Sequence, residues 1–298
     1  MAKRGVNEIS KRSSLTIHGI FVVLVAICLI PFLLVISVSL TEESEVKQDG
    51  YKLIPDAMTL SAYELLAQDI GQIGRSYGIT IWVTGIGTLI SVALTATLAY
   101  PLYRRDFPFR RFFTIFVVIT MLFNGGLVPM YILYNNYLDL RETLTVLVMP
   151  YLINPFFVII MRTFFTNTIP DTVIESAKLD GAKEITILSR IVFPLSLPAF
   201  ATIGMFTMLV YWNDWFMSLL FISRIDKMNI QYYLYRTIMN LDFLLRQTAV
   251  SAQMSRIEIP GETARMAMAV VGIGPIVLAY PFFQRYFIKG LTIGAVKG

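Results

Sequence analysis

Six long apolar runs alternate with shorter polar segments, at about 17–40, 79–103, 112–134, 143–165, 191–222 and 263–286. Roughly 20 apolar residues carry a helix across a bilayer, so the pattern predicts an all-α membrane protein with six transmembrane helices. Within the third run, Asn124-Gly125-Gly126 and Pro129 predict a break or kink. Irregular backbone is tolerated at that depth where it faces protein or a water-filled cavity. The first run has a basic start and ends in Ser37-Val38-Ser39, as a signal peptide does. It exceeds the usual h-region of about 7–15 residues and is read as a retained span.

Between the fourth and fifth runs lies a polar interruption with helical periodicity. Thr168 and Asp171 read as a capping box, and Pro170 fits a first helical turn. Val173, Ile174 and Ala177 share one helical face, and Asp180-Gly181 is a turn signal. Ile185, Leu188 and Val192 predict a second short helix, and Pro194 and Pro198 open the next apolar run. Residues 168–193 are therefore expected to form a helix-turn-helix at the membrane surface, with an apolar side free to meet another surface.

Composition agrees with the spans. The chain has 298 residues, 56% hydrophobic and 15% charged, against about 25% charged in a soluble domain. The net charge of +5 does not call for a nucleic-acid partner, since basic residues in loops that flank spans explain it. Arg104, Arg105, Arg110 and Arg111 fill one very short loop, and basic residues also crowd the N-terminus, the 162–190 segment and the tail. That side is expected to be cytoplasmic, with both termini on it. The 223–262 segment fits the rule poorly, carrying Arg224, Lys227, Arg236, Arg246 and Arg256. Its external placement follows from the spans around it. The expected division is a cytoplasmic segment 1–16, a six-span domain 17–287 and a cytoplasmic tail 288–298. One cysteine, Cys28, and one histidine, His18, exclude an intrachain disulfide and a cysteine-based metal site.

The sequence Glu175-Ser176-Ala177, three residues, Gly181, nine residues, then Ile191-x-Phe193-Pro194 resembles the EAA loop of binding-protein-dependent ABC importer permeases. In that family the consensus is Glu-Ala-Ala, Gly, then Ile-x-Leu-Pro. Ser176 and Phe193 depart from it mildly, and the spacing is intact. Met121 through Pro129, the block Tyr211-Trp212-Asn213-Asp214-Trp215 and the tail from Lys289 are similar to the carbohydrate, maltose-permease type of the family, in an oligosaccharide subgroup.

The resemblance implies the ABC type I importer permease fold, with 168–193 as the coupling helix-turn-helix that docks on a separate ATPase. Glu175 would then be a polar partner for the ATPase, Ser176 and Ala177 would allow close approach, and Asp180-Gly181 would form the turn. Gly181 would permit a close turn or a positive φ. The resemblance further implies a second homologous permease, two ATPase subunits, an extracellular solute-binding protein and a sugar carried by alternating access. ATP and Mg would be bound by the ATPase, with no cofactor in this chain.

The residues themselves support that division of labour. No Walker A motif occurs, and no metalloprotease or nucleophile-elbow motif is present, so an enzyme has no visible apparatus. Asn124, Asn213 and Asp214 are the pathway candidates, since an ionisable residue within a span points to function. Tyr211, Trp212 and Trp215 beside them offer faces for sugar rings. The same aromatics also fit a belt at the outer interface with Asp214 in water. Other solutes remain open to an importer of this kind. An ion-coupled secondary transporter is the alternative class, though it calls for inverted repeats that the chain does not show.

Overall fold

A computed structural model describes residues 11–250 and 260–295. The remaining parts of the 1–16 segment, the 223–262 segment and the tail lie outside the described residues. The described elements are helical. In chain order they are α1 (Lys11–Ser39), α2 (Glu43–Asp49), α3 (Ser61–Ala67), α4 (Ile70–Tyr103), α5 (Arg110–Leu122) and α6 (Leu127–Ile132). There follow α7 (Thr145–Val148), α8 (Pro155–Thr168), α9 (Asp171–Leu179), α10 (Glu184–Ile187) and α11 (Phe193–Leu195). The last are α12 (Leu197–Trp212), α13 (Phe216–Phe221), α14 (Ile230–Val250) and α15 (Glu262–Ala295).

Among the described residues, three helices are long and apolar enough to cross a membrane by themselves, and counting each of three bent pairs as one span gives up to six. The bend in the third run falls where Asn124-Gly125-Gly126 led one to expect it, and the bends in the fourth and fifth correct two spans expected to be continuous. The third run divides into α5 and α6, which meet at 106°. Gly126 has φ +91°, and Asn124 Oδ1 accepts its N–H at 2.8 Å. Pro129 is not the breaker, since it lies in the first turn of α6, where its missing N–H costs nothing. The fourth run bends by 52° before α8, whose Pro155 start is capped by Asn154 Oδ1 on Phe156 N at 3.0 Å. The fifth run does not start its membrane helix at 191. A π turn, Leu188–Val192, joins α10 to α11, an 82° bend at Ser196 follows, and α12 stops at Trp212.

The chain divides into two compact units. In the first, 1–70 with 238–273, α1 has no buried residue in its most apolar stretch, as a lipid-facing helix does. Its last turn is tied to the segment behind it. Ser37 Oγ donates to Lys52 O at 2.8 Å, and Ser39 Oγ and Tyr63 Oη share a hydrogen bond of the same length. Glu43, 5% exposed, accepts hydrogen bonds from Glu262 N, Thr263 N and Thr263 Oγ1, capping the start of α15.

In the second unit, 71–237 with 274–298, α4, α8, α9, α10 and α12 share a core. Tyr103, Met161, Phe165, Ile169, Ile174, Ile187 and Ile203 are its buried centre. This core lies directly under the helix-turn-helix. The segment 223–262, expected as a long external segment of mixed charge, contains the 21-residue α14. Ile230, Tyr233, Leu234 and Leu241 are its buried positions, at helical spacing.

Candidate functional site

The helix-turn-helix is present, built differently at both ends from the sequence expectation. Pro170 is the N-cap of α9, not its first turn, and no side chain caps it. Thr168 belongs to the end of α8, so there is no capping box. The buried residues after the turn are Ile187 on α10 and Val192 in the π turn, while Ile185 is 80% exposed. The π turn shifts the register, so the inward residues recur at five rather than three or four.

The turn itself is a Schellman motif. Gly181 N donates to Lys178 O and Ala182 N to Ala177 O, both at 2.9 Å, with Gly181 at φ +77°. That is the left-handed conformation expected there, and it strains any residue with a Cβ. The space around it is open, since a Cβ on Gly181 would meet nothing within 4 Å. Leu179 is 89% exposed, so it and Ile185 stand as two apolar knobs on either side of the turn. Glu175 and Asp180 are exposed, Ser176 Oγ bonds back to Thr172 O at 2.9 Å, and Ala177 packs half-buried on the core.

Beneath the turn is a charge network that sequence reasoning missed. Arg104 is 8% exposed and uses its whole guanidinium. Nε and Nη2 donate to the two oxygens of Asp106 at 3.0 and 2.8 Å. Nη1 donates to Glu184 Oε2 at 3.0 Å and to Tyr100 Oη at 2.8 Å. Lys178 pairs with Asp106 and, at 3.1 Å, with Glu184, and Tyr100 Oη also donates to Glu184. Arg104 first, then Lys178, holds the Asp106 carboxyl down at about 2. Burial pushes the Glu184 carboxyl up, but the hydrogen bonds from Tyr100 and Lys178 outweigh it and leave it below the usual range. These charges read from sequence only as the basic mark of a cytoplasmic loop, because their partners lie some 70–80 positions away.

The pathway candidates do not gather at one place. Tyr211 and Trp212 are buried, and Tyr211 Oη donates to Val148 O at 2.8 Å. Asn213 is exposed and donates to Leu209 O at 2.8 Å. Asp214 is buried in the break between α12 and α13. Its Oδ1 accepts from Tyr151 Oη at 2.9 Å and Met217 N at 3.2 Å, and its carbonyl accepts from Asn229. Asn124 is exposed in the α5–α6 break, where its side chain is spent on Gly126. Trp215 lies 4.8 Å from Tyr235, ring centre to ring centre. A cavity of about 240 Å³ opens near Asp214, lined by Thr120, Tyr151, Asn154, Phe157, Thr207 and Val210. The buried Thr207 hydroxyl has no partner among the described residues. Tyr151, Asn154 and Thr207 were not singled out in the sequence. The Asn154-Pro155 dipeptide was the one available signal for a break there.

Residues 4–293 match the family described as binding-protein-dependent transport system inner membrane component. The polygalacturonan/rhamnogalacturonan transport system permease protein YtcP of Bacillus subtilis is 38% identical over 95% of this chain and 97% of its own. Protein LplC of the same organism is 36% identical over 92% and 90%. The arabinooligosaccharides transport system permease protein AraQ of Halalkalibacterium halodurans is 28% identical over 95% and 96%. Among solved structures, a bacterial ABC transporter involved in the import of the acidic polysaccharide alginate superposes with a TM-score of 0.78. It is 28% identical, with 95% of this chain and 100% of that chain covered.

Proposed function

Since this chain belongs to the inner membrane components of binding-protein-dependent transport systems, we propose that it moves an oligosaccharide inward across a bacterial cytoplasmic membrane by ATP-driven alternating access. It is a sugar ABC importer permease, a transport subunit and not an enzyme. In this reading it pairs with a second homologous permease, two ATPase subunits and an extracellular solute-binding protein. Both termini are cytoplasmic. ATP and Mg are bound by the ATPase.

The observation that carries the reading is the α9 turn. Leu179 and Ile185 are presented to the outside at 89% and 80% exposure by a turn whose inner face is locked into the core. Large apolar side chains held out on a rigid base are what a protein partner buries. Glu175 and Asp180 supply the polar rim of the same surface, and Gly181 shapes it. Polysaccharides named for YtcP, polygalacturonan and rhamnogalacturonan, make their oligosaccharides the first ligands to try. Tyr151, Asn154 and Thr207 around the cavity, together with Asp214 behind Tyr151, offer the mixed aromatic and hydroxyl surface that sugars need. Tyr211 supports that surface edge-on through Tyr151, while Asn124 lies apart in the α5–α6 break and Trp212 and Asn213 at the end of α12.

The test is uptake into vesicles that contain the purified complex, its ATPase and binding protein, with labelled oligogalacturonides. ATP-dependent, vanadate-sensitive accumulation that Gly181→Asp abolishes, with the variant still present in the membrane, is the expected result. Uptake that a proton uncoupler stops and vanadate does not would overturn the reading.

A further inference from the structure

The chain connects α9 and α10 directly to α8 and α12, so motion of the docking turn reaches those two helices through the backbone. The structure adds a third connection. Tyr103, the last residue of α4, donates through Oη to Ile169 O at 3.1 Å, just before α9. Arg105 Nε lies 3.2 Å from Asp171 Oδ2 at the first residue of α9. Lys178 near the end of α9 pairs with Asp106, and Glu184 at the start of α10 is held by Arg104 and Tyr100. The loop after α4 is thus fastened to α9 at its beginning, at its end and across the turn. The end of α4 is braced in turn, for Leu102 O accepts from Arg110 Nε of α5 at 2.9 Å and from Arg162 Nε of α8 at 3.1 Å.

We infer that residues 100–106 and the α9–α10 turn form one rigid body, which delivers the movement of the docking turn to α4 as well as to α8 and α12. An isolated exposed ion pair contributes only about 0–1 kcal/mol and transmits little. This network differs in two respects. Arg104 is almost fully buried with its fork saturated, and Tyr103, Ile169, Ile174 and Ile187 form an apolar floor under it. A saturated network over a packed floor moves as a unit, since partial opening would strand a buried guanidinium. Arg104, Asp106, Lys178 and Glu184 are positioning residues in this account. The account rests on the docking reading of the α9 turn.

The experiment uses the reconstituted complex with Cys28→Ser as the parent and Asp106→Cys with Lys178→Cys added. Opening the pair is expected to lower sugar transported per ATP hydrolysed roughly 2- to 30-fold, the range for residues that carry coupling between sites. The ATPase should still co-purify, and the chain should remain in the membrane. A short bis-maleimide that bridges the two cysteines is expected to restore the ratio. A cross-linked complex that stays uncoupled, or a double variant that transports at the parental ratio without cross-linking, would overturn the inference. An ATPase missing from the parental complex itself would sink the docking reading, which is a separate and recognisable failure.

Discussion

The ring of Tyr211 lies directly on the backbone of Gly87. A Cβ added to Gly87 would come within 2.5 Å of Tyr211 Cζ and within 2.8 Å of two further ring carbons. Close approach through a small residue is how membrane helices pack where no hydrophobic force separates protein from lipid. Here it fits α4 against α12 and sets Tyr211 edge-on to Tyr151, with ring centres 5.7 Å apart. The contact thereby places the phenol that bonds Asp214.

Gly87→Ala is expected to destabilise the chain by about 1–3 kcal/mol, the usual cost of overpacking. Adding Tyr211→Leu should recover part of that loss, whereas Tyr211→Phe should not, since it keeps the ring and forfeits the bond to Val148 O. Thermal unfolding of the purified protein in detergent, read as a double-mutant cycle, checks both. Additive effects of Gly87→Ala and Tyr211→Leu would mean that the ring and the glycine do not meet.

Leu179 and Ile185 are expected to behave in the opposite way. At 89% and 80% exposure neither supports the fold, so Leu179→Glu with Ile185→Glu should leave abundance and thermal stability unchanged. Loss of two apolar anchors from an interface centre costs about 2 kcal/mol or more each. Co-purification of the ATPase subunit should therefore fall by well over tenfold. Retention of the ATPase would place its docking surface elsewhere on the chain.

Glu43 gives a pH dependence. Burial raises its carboxyl, but hydrogen bonds from the backbone of Thr263 and Glu262 and from the Thr263 hydroxyl outweigh burial and hold it below its ordinary 4.5. A carboxyl lowered in the folded state stabilises above its unfolded value, and the contribution is lost as pH falls through the folded one. The link between α2 and the start of α15 should thus be constant at neutral pH and weaken below about 4.5. Glu43→Gln should remove that dependence and expose the 41–60 segment to protease at every pH. Proteolysis rates across pH 3–7, taken as a rough window around the carboxylate range, measure it. An unchanged acid sensitivity in Glu43→Gln would assign it to another group.

The sequence by itself determined the apolar composition, the number of apolar runs and the place of the α9–α10 turn. These are local properties. Hydrophobic run length is read by a bilayer without reference to the rest of the fold, and Gly181 reports its left-handed backbone because a Schellman turn demands it within a few residues. The break at Asn124-Gly125-Gly126 was legible for the same reason, and the helical spacing of Ile230, Tyr233, Leu234 and Leu241 was there to be read. Only the tertiary structure decided the bends of the fourth and fifth runs. The 82° turn at Ser196 and the π register of Leu188–Val192 follow from seating Ile187 and Val192 in a shared core. It also decided which charges meet. Arg104 is 80 positions from Glu184, and its neighbours in sequence announce only a short basic loop. Pairing across such a distance depends on how α4, α8 and α9 pack, and the side chains of one segment carry no record of that.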